Sequence, residues 1–269
     1  MAEAAQTAEE KKIQLEKQFI VEIKSLFARM NKDNTSVISL RGRTLDANEY
    51  KGEWQALLRK QYARVQDAFE GDVELTLPED DRGLSDDEKR LLLTALLLWR
   101  TERAEKNSQI ITATNQRQLD ESLSQAREMH QDQDLDTDNV SLGLTSAALF
   151  KRKSAGRVNA IAMTETQSSA ESTRIMEATT LAGIDPMTIV KVTGLAVLSQ
   201  SIKMWLTVGD SLVRPIHSAA GGQRVPINQA FFVGGELLMY PGDSSLGATL
   251  KNLANCRCSQ FFSIIRVRR

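Results

Sequence analysis

The strongest constraint on the fold of this chain is a change of sequence pattern near Gly183. Before this residue, apolar side chains recur every three or four positions over long stretches, which is typical of amphipathic helices. After it, short extended runs are separated by glycine, proline, asparagine and aspartate, which indicates strands and turns. Because the helices precede the strands and do not alternate with them, the sequence predicts an α+β fold. A helical N-terminal half is followed by a smaller module rich in strands and turns.

Five segments in the first part of the chain carry the helical pattern. They are residues 4–30, 54–69, 88–103, 110–129 and 154–182. Ser85 and Glu88 form a capping-box pattern that opens the third of them. We divide the chain into a helical region for docking and assembly, residues 1–109, and a second domain, residues 110–269. This second domain contains helices over residues 110–182 and a strand-rich module over residues 183–269.

The strand-rich module contains three recognisable extended runs. In the first, Ile202, Met204 and Leu206 alternate with other side chains, as expected for a strand with two different faces. In the second, Pro226 removes a backbone donor, so this segment fits an edge strand better than a central one. The third run covers residues 261–267 and ends in a basic tail.

The segment between the last two predicted helices, residues 130–139, is acidic. Its aspartates at 132, 134, 136 and 138 alternate as in a calcium-binding loop. The glycine and the final glutamate that such a loop requires are missing in either register. We therefore predict a solvated linker, in which His130 is exposed.

The charge balance limits the classes of partner. Lysine and arginine number 34 against 35 aspartates and glutamates, so the chain has almost no net field to attract a polyanion. Any contact with nucleic acid must be local, and Arg266, Arg268 and Arg269 are the candidates for non-specific contact with DNA or with an acidic protein surface. The longest apolar run, residues 91–99, is much shorter than the roughly 20 residues that span a bilayer. We predict no membrane association and a cytoplasmic origin.

The strand-rich module, together with the helix before it, carries unusual residues in a fixed order. The series is Thr164-Glu165-Thr166, Lys203-x-Trp205-x-Thr207-x-x-Asp210, Val213-Arg214-x-x-His217, Gly221-Gly222 with Val225, Phe231, Tyr240-Pro241-Gly242-Asp243 and Asn255-Cys256-Arg257-Cys258. Each element alone is common, since Pro-Gly-Asp is an ordinary turn and Thr-Glu occurs in many helices. The ordered set is far more specific.

Together, these residues closely resemble the head-morphogenesis domain of phage Mu F-like minor head proteins. The resemblance extends over residues 110–259. It implies a minor head protein without enzymatic activity, present in a few copies at the portal vertex of the virion and assembled in the host cytoplasm. The implied partner is the portal protein, with the scaffold or the major capsid protein as further candidates. The implied roles are head morphogenesis, DNA packaging and DNA ejection.

Two charged residues of the series suggest a structural role. Asp210 and Arg214 are four positions apart in a segment that turns out of a strand, close enough for a charge-assisted pair. Glu165 is a second candidate partner for the same guanidinium. We expect Arg214 to act as a clamp between the two carboxylates. Gly221-Gly222 and Pro241-Gly242 are expected to form turns.

His217, Cys256 and Cys258 have the greatest chemical potential in the series. A disulfide between the two cysteines is unfavourable, because side chains two positions apart in an extended segment point to opposite faces. We expect the histidine and at least one sulfur to lie in contact. Two interpretations remain open, namely a buried metal-free cluster, which we favour on sequence grounds, and a zinc site with Asp210 as a fourth ligand.

The alternative function is that of an enzyme. His217 would serve as general base with Cys256 or Cys258 as nucleophile, or a metal bound by these residues would activate water. The chain contains only two histidines, so any such mechanism depends on His217. The sequence shows no Gly-x-Ser-x-Gly, Walker or His-Glu-x-x-His pattern. The sequence therefore favours the assembly protein.

Overall fold

The computed structural model describes residues 2–73, 77, 83–133, 138–190 and 200–266. Long helices come first and short antiparallel strands follow, so the predicted α+β class is confirmed. The chain is divided into two compact units. Unit 1 contains Met1–Leu15, Gln61–Thr101 and Met163–Arg269, and unit 2 contains Glu16–Lys60 and Glu102–Ala162. The predicted domain boundary at residue 109 stays a prediction about how the chain divides by function.

The elements follow one another in a simple order. They are α1 (Ala2–Arg41), a 3-10 turn (Ala47–Tyr50), α2 (Lys51–Phe69), α3 (Asp86–Asp132), α4 (Asn139–Leu181), α5 (Met187–Val190), β1 (Ile202–Leu206), α6 (Pro215–Ala220), β2 (Arg224–Pro226), β3 (Phe231–Val233), β4 (Glu236–Leu238), α7 (Leu250–Leu253) and β5 (Ser259–Ser263). None of the helices in the described ranges combines the length and apolar character needed to cross a membrane.

The first helix is longer than its apolar pattern predicts. It continues beyond Met30 to Arg41 because its polar stretch still has a packed side, with Asn34 and Ile38 fully buried. The Asn34 side chain accepts a hydrogen bond of 2.9 Å from the backbone N–H of Leu45, which satisfies its buried oxygen. Gly42, at a φ of 64°, then ends the helix with a left-handed residue.

The third helix joins two segments that the sequence predicts as separate helices. No glycine or proline interrupts residues 104–109, so the helical backbone continues. The predicted capping box is confirmed at its start. The Ser85 hydroxyl accepts from the backbone N–H of Glu88 at 3.3 Å, and the Glu88 carboxylate accepts from that of Ser85 at 2.8 Å.

The fourth helix starts at Asn139, well before the predicted position 154. Asp138 caps it by accepting hydrogen bonds from the backbone N–H groups of Val140 and Ser141, at 2.6 and 2.8 Å. This aspartate of the acidic segment therefore caps a helix. Asp134 and Asp136 lie outside the described residues.

His130 is a correction to the sequence prediction of an exposed residue. It lies in the last turn of α3, is only 4% exposed, and places Nε2 2.9 Å from the Thr145 hydroxyl on α4. Since both helices extend further toward the acidic segment than their patterns suggested, this histidine is buried in helical packing.

Unit 2 has an apolar interior formed by helical segments. Phe27 contacts Trp54 edge to face, with ring centroids 5.3 Å apart, and contacts Phe150 at 6.1 Å. A second cluster contains Ile38, Leu123, Ala126 and Leu142, with Leu149 packed against it. Arg157 covers the Phe27 ring at 5.8 Å and donates to the Asn115 side chain at 2.5 Å. Burial lowers the pKa of Arg157 to about 10.

The strand-rich module belongs to unit 1. Its three-stranded antiparallel sheet has the order β2-β1-β5, and β3 and β4 form a separate antiparallel pair. In the register, Lys203 of β1 lies opposite Val225 of β2 and Phe262 of β5. The strand with Pro226 lies at the sheet edge, as predicted. The central strand buries Lys203 and Trp205 completely, and these two side chains point into the module.

Candidate functional site

The strand-rich module brings His217, Cys256 and Cys258 together. His217 lies on α6, and the cysteines flank Arg257 between α7 and β5. The Nδ1 atom of His217 is 3.5 Å from each of the two Sγ atoms. The expectation that the histidine contacts at least one sulfur is thus confirmed for both. All three residues are at most 3% exposed, and both cysteines are free thiols. We call these three residues the His-Cys-Cys cluster.

The cluster is enclosed by the apolar core of the module. The Trp205 ring meets the imidazole of His217 edge to face at 5.7 Å and meets Phe231 at 5.2 Å. The buried members of this core are Trp205, Ala220, Phe231, Val233, Leu238, Leu253, Cys256 and Cys258. Because β1 is the central strand, its inward-facing Trp205 is held by strands on both sides. The cluster therefore lies in a rigid, water-poor part of the module.

The other nitrogen of His217 faces a polar chain. Its Nε2 atom lies 3.3 Å from Oδ1 of Asn252 on α7. The Asn252 amide donates to the carbonyl oxygen of Val233 at 3.1 Å and to the carboxylate of Glu236 at 2.6 Å. Hydrogen bonds from Thr249 and then from Asn252 lower the pKa of Glu236, so this carboxylate is held in its ionised, accepting form.

The two thiols differ in their electrostatics. The hydrogen bond with Cys258, followed by burial, raises the pKa of Cys256 well above its usual value. The same hydrogen bond lowers the pKa of Cys258, and interaction with the Trp205 side chain adds to this lowering. The Trp205 indole N–H has no hydrogen bond of ordinary length within the described part of the chain. Cys258 is therefore the sulfur better placed to carry negative charge, with a buried donor directed at it.

Asp210 and Arg214 do not form the predicted clamp. Asp210 accepts two hydrogen bonds from the guanidinium of Arg257, at 2.6 and 2.7 Å, and this hydrogen bonding lowers the pKa of Asp210. Arg214 donates to the backbone carbonyl of Ala254. A four-residue spacing favours a pair only within a helix, and α6 begins after Arg214. Within the described ranges, Asp210 is also not among the ligand atoms gathered at the cluster.

The Thr-Glu motif lies on α4 and contacts two different regions of unit 1. The Thr164 hydroxyl accepts from the backbone N–H of Asn255 at 3.2 Å, and Glu165 accepts from the Tyr62 hydroxyl at 2.5 Å. Asn255 has a φ of 53° and is exposed, so it shapes the turn before Cys256. The asparagine that contacts His217 is Asn252.

The Tyr240-Pro241-Gly242-Asp243 motif forms a tight turn packed on α4. Gly242 has a φ of 87°, and a Cβ atom added there would lie 3.2 Å from the Cα atom of Ser168. Asp243 accepts from the backbone N–H of Met239 and from that of Ser245, both at 2.8 Å. Glycine is therefore required by both the backbone conformation and the close approach, and the turn has the structural role that the sequence predicts.

Lys203 is a fully buried amine beside this turn. Its Nζ atom donates to the carbonyl oxygen of Met239 at 2.6 Å and lies 4.9 Å from the centroid of the Phe231 ring. Burial lowers its pKa to about 7, and attraction to the carboxylate of Asp243 opposes this effect. Lys203 belongs to the motif series, but the residues around it do not predict that its side chain is buried.

Two residues important to the site were not identified from the sequence. Asn252 and Glu236 lie in segments that resemble ordinary turns and edge strands, and neither spacing nor composition distinguishes them. Gln167 was also missed, although it donates from its buried side chain to the carbonyl oxygen of Cys258. These contacts join positions far apart in sequence, so only the folded chain reveals them.

The basic C-terminus is only partly described. Arg266 donates to the carbonyl oxygen of Gly83 and lies 3.5 Å from the carboxylate of Glu88, so its charge already has partners within unit 1. Arg268 and Arg269 lie outside the described residues. Any contact of these three arginines with DNA stays a prediction.

The arrangement at the cluster provides the donor atoms of a metal site. One imidazole nitrogen and two sulfurs converge in a closed space, with their ligand atoms within 4.8 Å of one another. An open cavity of about 930 Å³ occurs in unit 2, lined mainly by polar side chains of α3 such as Gln109 and Gln116. No residue of the cluster lines this cavity.

No protein-family model, no curated protein and no solved structure matches the chain.

Proposed function

We propose that this chain is a minor head protein of the phage Mu F-like type, a structural component that joins the portal vertex during head assembly. The observation that carries the proposal is the ordered series of motif residues from Thr164-Glu165 to Asn255-Cys256-Arg257-Cys258. The residues recur in the order in which that family has them, over a large part of the chain.

The contacts within the series support treating it as one unit. Thr164 binds the backbone of Asn255, Asp210 pairs with Arg257, and His217 contacts both cysteines. These contacts connect positions that are 39 to 91 residues apart. This convergence supports the proposal that the series acts as one structural unit.

The burial of the cluster supports a structural role over a catalytic one. A nucleophilic thiol and its base must be reached by the substrate, whereas His217, Cys256 and Cys258 are nearly inaccessible. The cofactor that suits one imidazole and two sulfurs is a zinc ion, which would stabilise the module. A rigid module is what a docking component of an assembling shell requires.

Exposed apolar side chains in unit 1 support contact with a protein partner. Leu91, Leu93 and Leu97 on α3 are each about half exposed, although four neighbours on the same helix are buried, namely Leu92, Ala95, Leu96 and Trp99. Leu93 and Leu97 are four positions apart and so share one face of the helix. The apolar stripe of α1, which also belongs to the region predicted for docking and assembly, is mostly buried within the fold.

The proposed partner of this face is the portal protein, with the scaffold or the major capsid protein as further candidates. The proposed location is the virion, reached by assembly in the host cytoplasm. Contact with DNA during packaging or ejection would be local, because the chain has a formal net charge of only −1.

Co-expression with the portal and major capsid proteins of the same genome tests the proposal. We expect the full chain to sediment with procapsids in a few copies per particle, and a Leu93→Ser, Leu97→Ser variant to be incorporated less. Leu40→Ser, at an exposed leucine of α1, is the matched control and should be incorporated normally. Absence of the wild-type chain from particles would overturn the proposal, and substrate turnover by the isolated chain would favour the enzyme.

A further inference from the structure

We infer that the His-Cys-Cys cluster is a zinc site prepared for the metal by Asn252 and Glu236. This inference goes beyond the proposed function, since it concerns the folded chain whether or not that chain is a virion component. The sequence alone favoured a metal-free cluster. The position of Asn252 reverses that preference, because it determines which nitrogen of His217 carries the proton.

The nitrogen–sulfur distances within the cluster match those around a tetrahedral zinc ion. Zinc bound to sulfur at about 2.3 Å and to nitrogen at about 2.0–2.1 Å separates those two ligand atoms by about 3.6 Å. The Nδ1 atom of His217 lies 3.5 Å from the sulfur of Cys256 and 3.5 Å from that of Cys258. The two nitrogen–sulfur distances therefore have the spacing that the ion requires, and binding requires the two sulfurs, which lie within 4.8 Å of each other, to be about 3.8 Å apart.

The tautomer of His217 follows from the hydrogen-bond acceptors around Asn252. The carbonyl of Val233 and the ionised carboxylate of Glu236 can only accept, so the Asn252 amide group must point to both. Its oxygen then faces His217 Nε2 as an acceptor, and Nε2 must carry the proton. The Nδ1 atom is left with a free lone pair directed at the two sulfurs.

This arrangement is what a metal-binding histidine needs. Such a histidine donates its second N–H to an oxygen acceptor, which sets the tautomer and the orientation of the ring. Here the acceptor is itself held by Glu236, so a chain of two residues orients the ligand.

The buried indole N–H of Trp205 is a second, independent indication. It interacts with Cys258 but has no hydrogen bond of ordinary length within the described ranges. A buried donor without a full partner is unfavourable, and a metal-bound thiolate is a stronger acceptor than a thiol. Binding of the ion would therefore improve the hydrogen bonding of Trp205 as well.

The donor set selects the kind of metal. Two thiolates and one imidazole favour zinc and disfavour calcium and magnesium, which require oxygen ligands. Within the described ranges, no further histidine, cysteine or carboxylate side chain joins these three ligands. We assign no protein ligand to the fourth coordination position, and the burial of the cluster means that zinc enters as the module folds.

Analysis of the full chain purified without chelator provides the test. We expect about one zinc per chain, retained through gel filtration. X-ray absorption at the zinc edge should show two sulfurs at about 2.3 Å and the remaining ligands at about 2.0–2.1 Å. A chain that lacks zinc even after refolding with zinc sulfate, or a spectrum without sulfur neighbours, would overturn the inference.

Asn252→Ala tests the role of the orienting residue while keeping all three ligands. We expect its zinc affinity, measured by competition with a chromophoric chelator, to fall about 10- to 100-fold. Asn255→Gly is the matched control, since it retains the positive φ and removes an asparagine that does not contact His217. Equal affinities for both variants and the wild type would contradict the assigned tautomer. If Asn252→Ala does not fold, the zinc content and absorption spectrum of the wild type decide the inference.

Discussion

Unit 2 and the strand-rich module are stabilised in different ways. Unit 2 packs apolar side chains at helical spacing, with Phe27 between Trp54 and Phe150 as its centre. The strand-rich module has short strands of three to five residues, and its core is built around polar groups such as Lys203, His217 and the two thiols.

Unit 2 and the strand-rich module therefore differ in how strictly their positions require one type of residue. In unit 2, another apolar residue of similar volume can fill the same space, because dispersion and hydrophobic burial have little directionality. In the strand-rich module, hydrogen bonds, ring contacts and a positive φ each demand one type of residue. We therefore expect conservative substitutions to be tolerated in unit 2 and not in the module.

The largest expected effect is that of Trp205→Ala. This residue is fully buried between His217 and Phe231, so the substitution leaves a cavity in the centre of the module and should reduce the free energy of unfolding by about 4 kcal/mol. Phe27→Leu, at the centre of unit 2, is the conservative comparison and should lose only about 1 kcal/mol. Urea denaturation measures the free energy of unfolding of both variants. Losses of equal size would contradict the proposed difference between unit 2 and the strand-rich module.

The next effect separates backbone conformation from packing. Gly242 and Gly247 have φ values of 87° and 85°, but only Gly242 lies against another part of the chain. Gly242→Ala should destabilise the protein by about 3 kcal/mol, from a strained φ and a clash with Ser168. Gly247→Ala should reduce the free energy of unfolding by only about 1 kcal/mol, because it strains the backbone without creating a clash. Melting temperatures that fall by the same amount would show that the packing of the turn on α4 contributes little.

Lys203 should make stability depend on pH. The unfolded chain holds this proton to about pH 10.5, whereas the folded protein releases it near pH 7, so the unfolded state binds more protons between these values. Stability contributed by this group therefore rises with pH across that window and is lost as pH falls toward 7. Between about pH 7.5 and pH 8.5, the wild type should gain about 1 kcal/mol relative to Lys203→Met. Parallel pH profiles for the two proteins would mean that Lys203 stays protonated in the fold.

The smallest expected effect concerns the pair of Asp210 and Arg257. Its side chains are 41% and 27% exposed, so solvent and salt screen the attraction despite the good geometry. A double-mutant cycle with Asp210→Asn and Arg257→Gln should give a coupling free energy within the error of the measurement. A coupling clearly larger than that error would show that exposed polar contacts, and not only buried ones, stabilise the module.

The helical half was predictable because its signals are local. Periodic apolar positions and the capping box at Ser85 located the helices, and the breakers after Gly183 marked the change to strands. The errors lie at helix ends. The first and fourth helices extend through polar segments because Asn34 and Asp138 find hydrogen-bond partners there, which the apolar pattern does not reveal.

The site was predictable in part. The unusual residues of the motif series indicated that His217 and the two cysteines would meet, and they do. The assignment of Arg214 to Asp210 was wrong, because proximity in sequence was taken for proximity in space. Arg257 reaches Asp210 from another segment of the chain, 47 residues away.

The α+β class, the order of helices before strands and the residues that carry chemistry could be predicted from the sequence, because these depend on local periodicity and on residue type. Only the tertiary structure shows which charges pair and that Lys203 and His130 are buried. It also shows that Asn252 and Glu236 orient the imidazole of His217. Such facts depend on the burial and direction of groups brought together from distant positions. Hydrogen bonding and desolvation depend on that three-dimensional arrangement, which no local sequence pattern predicts.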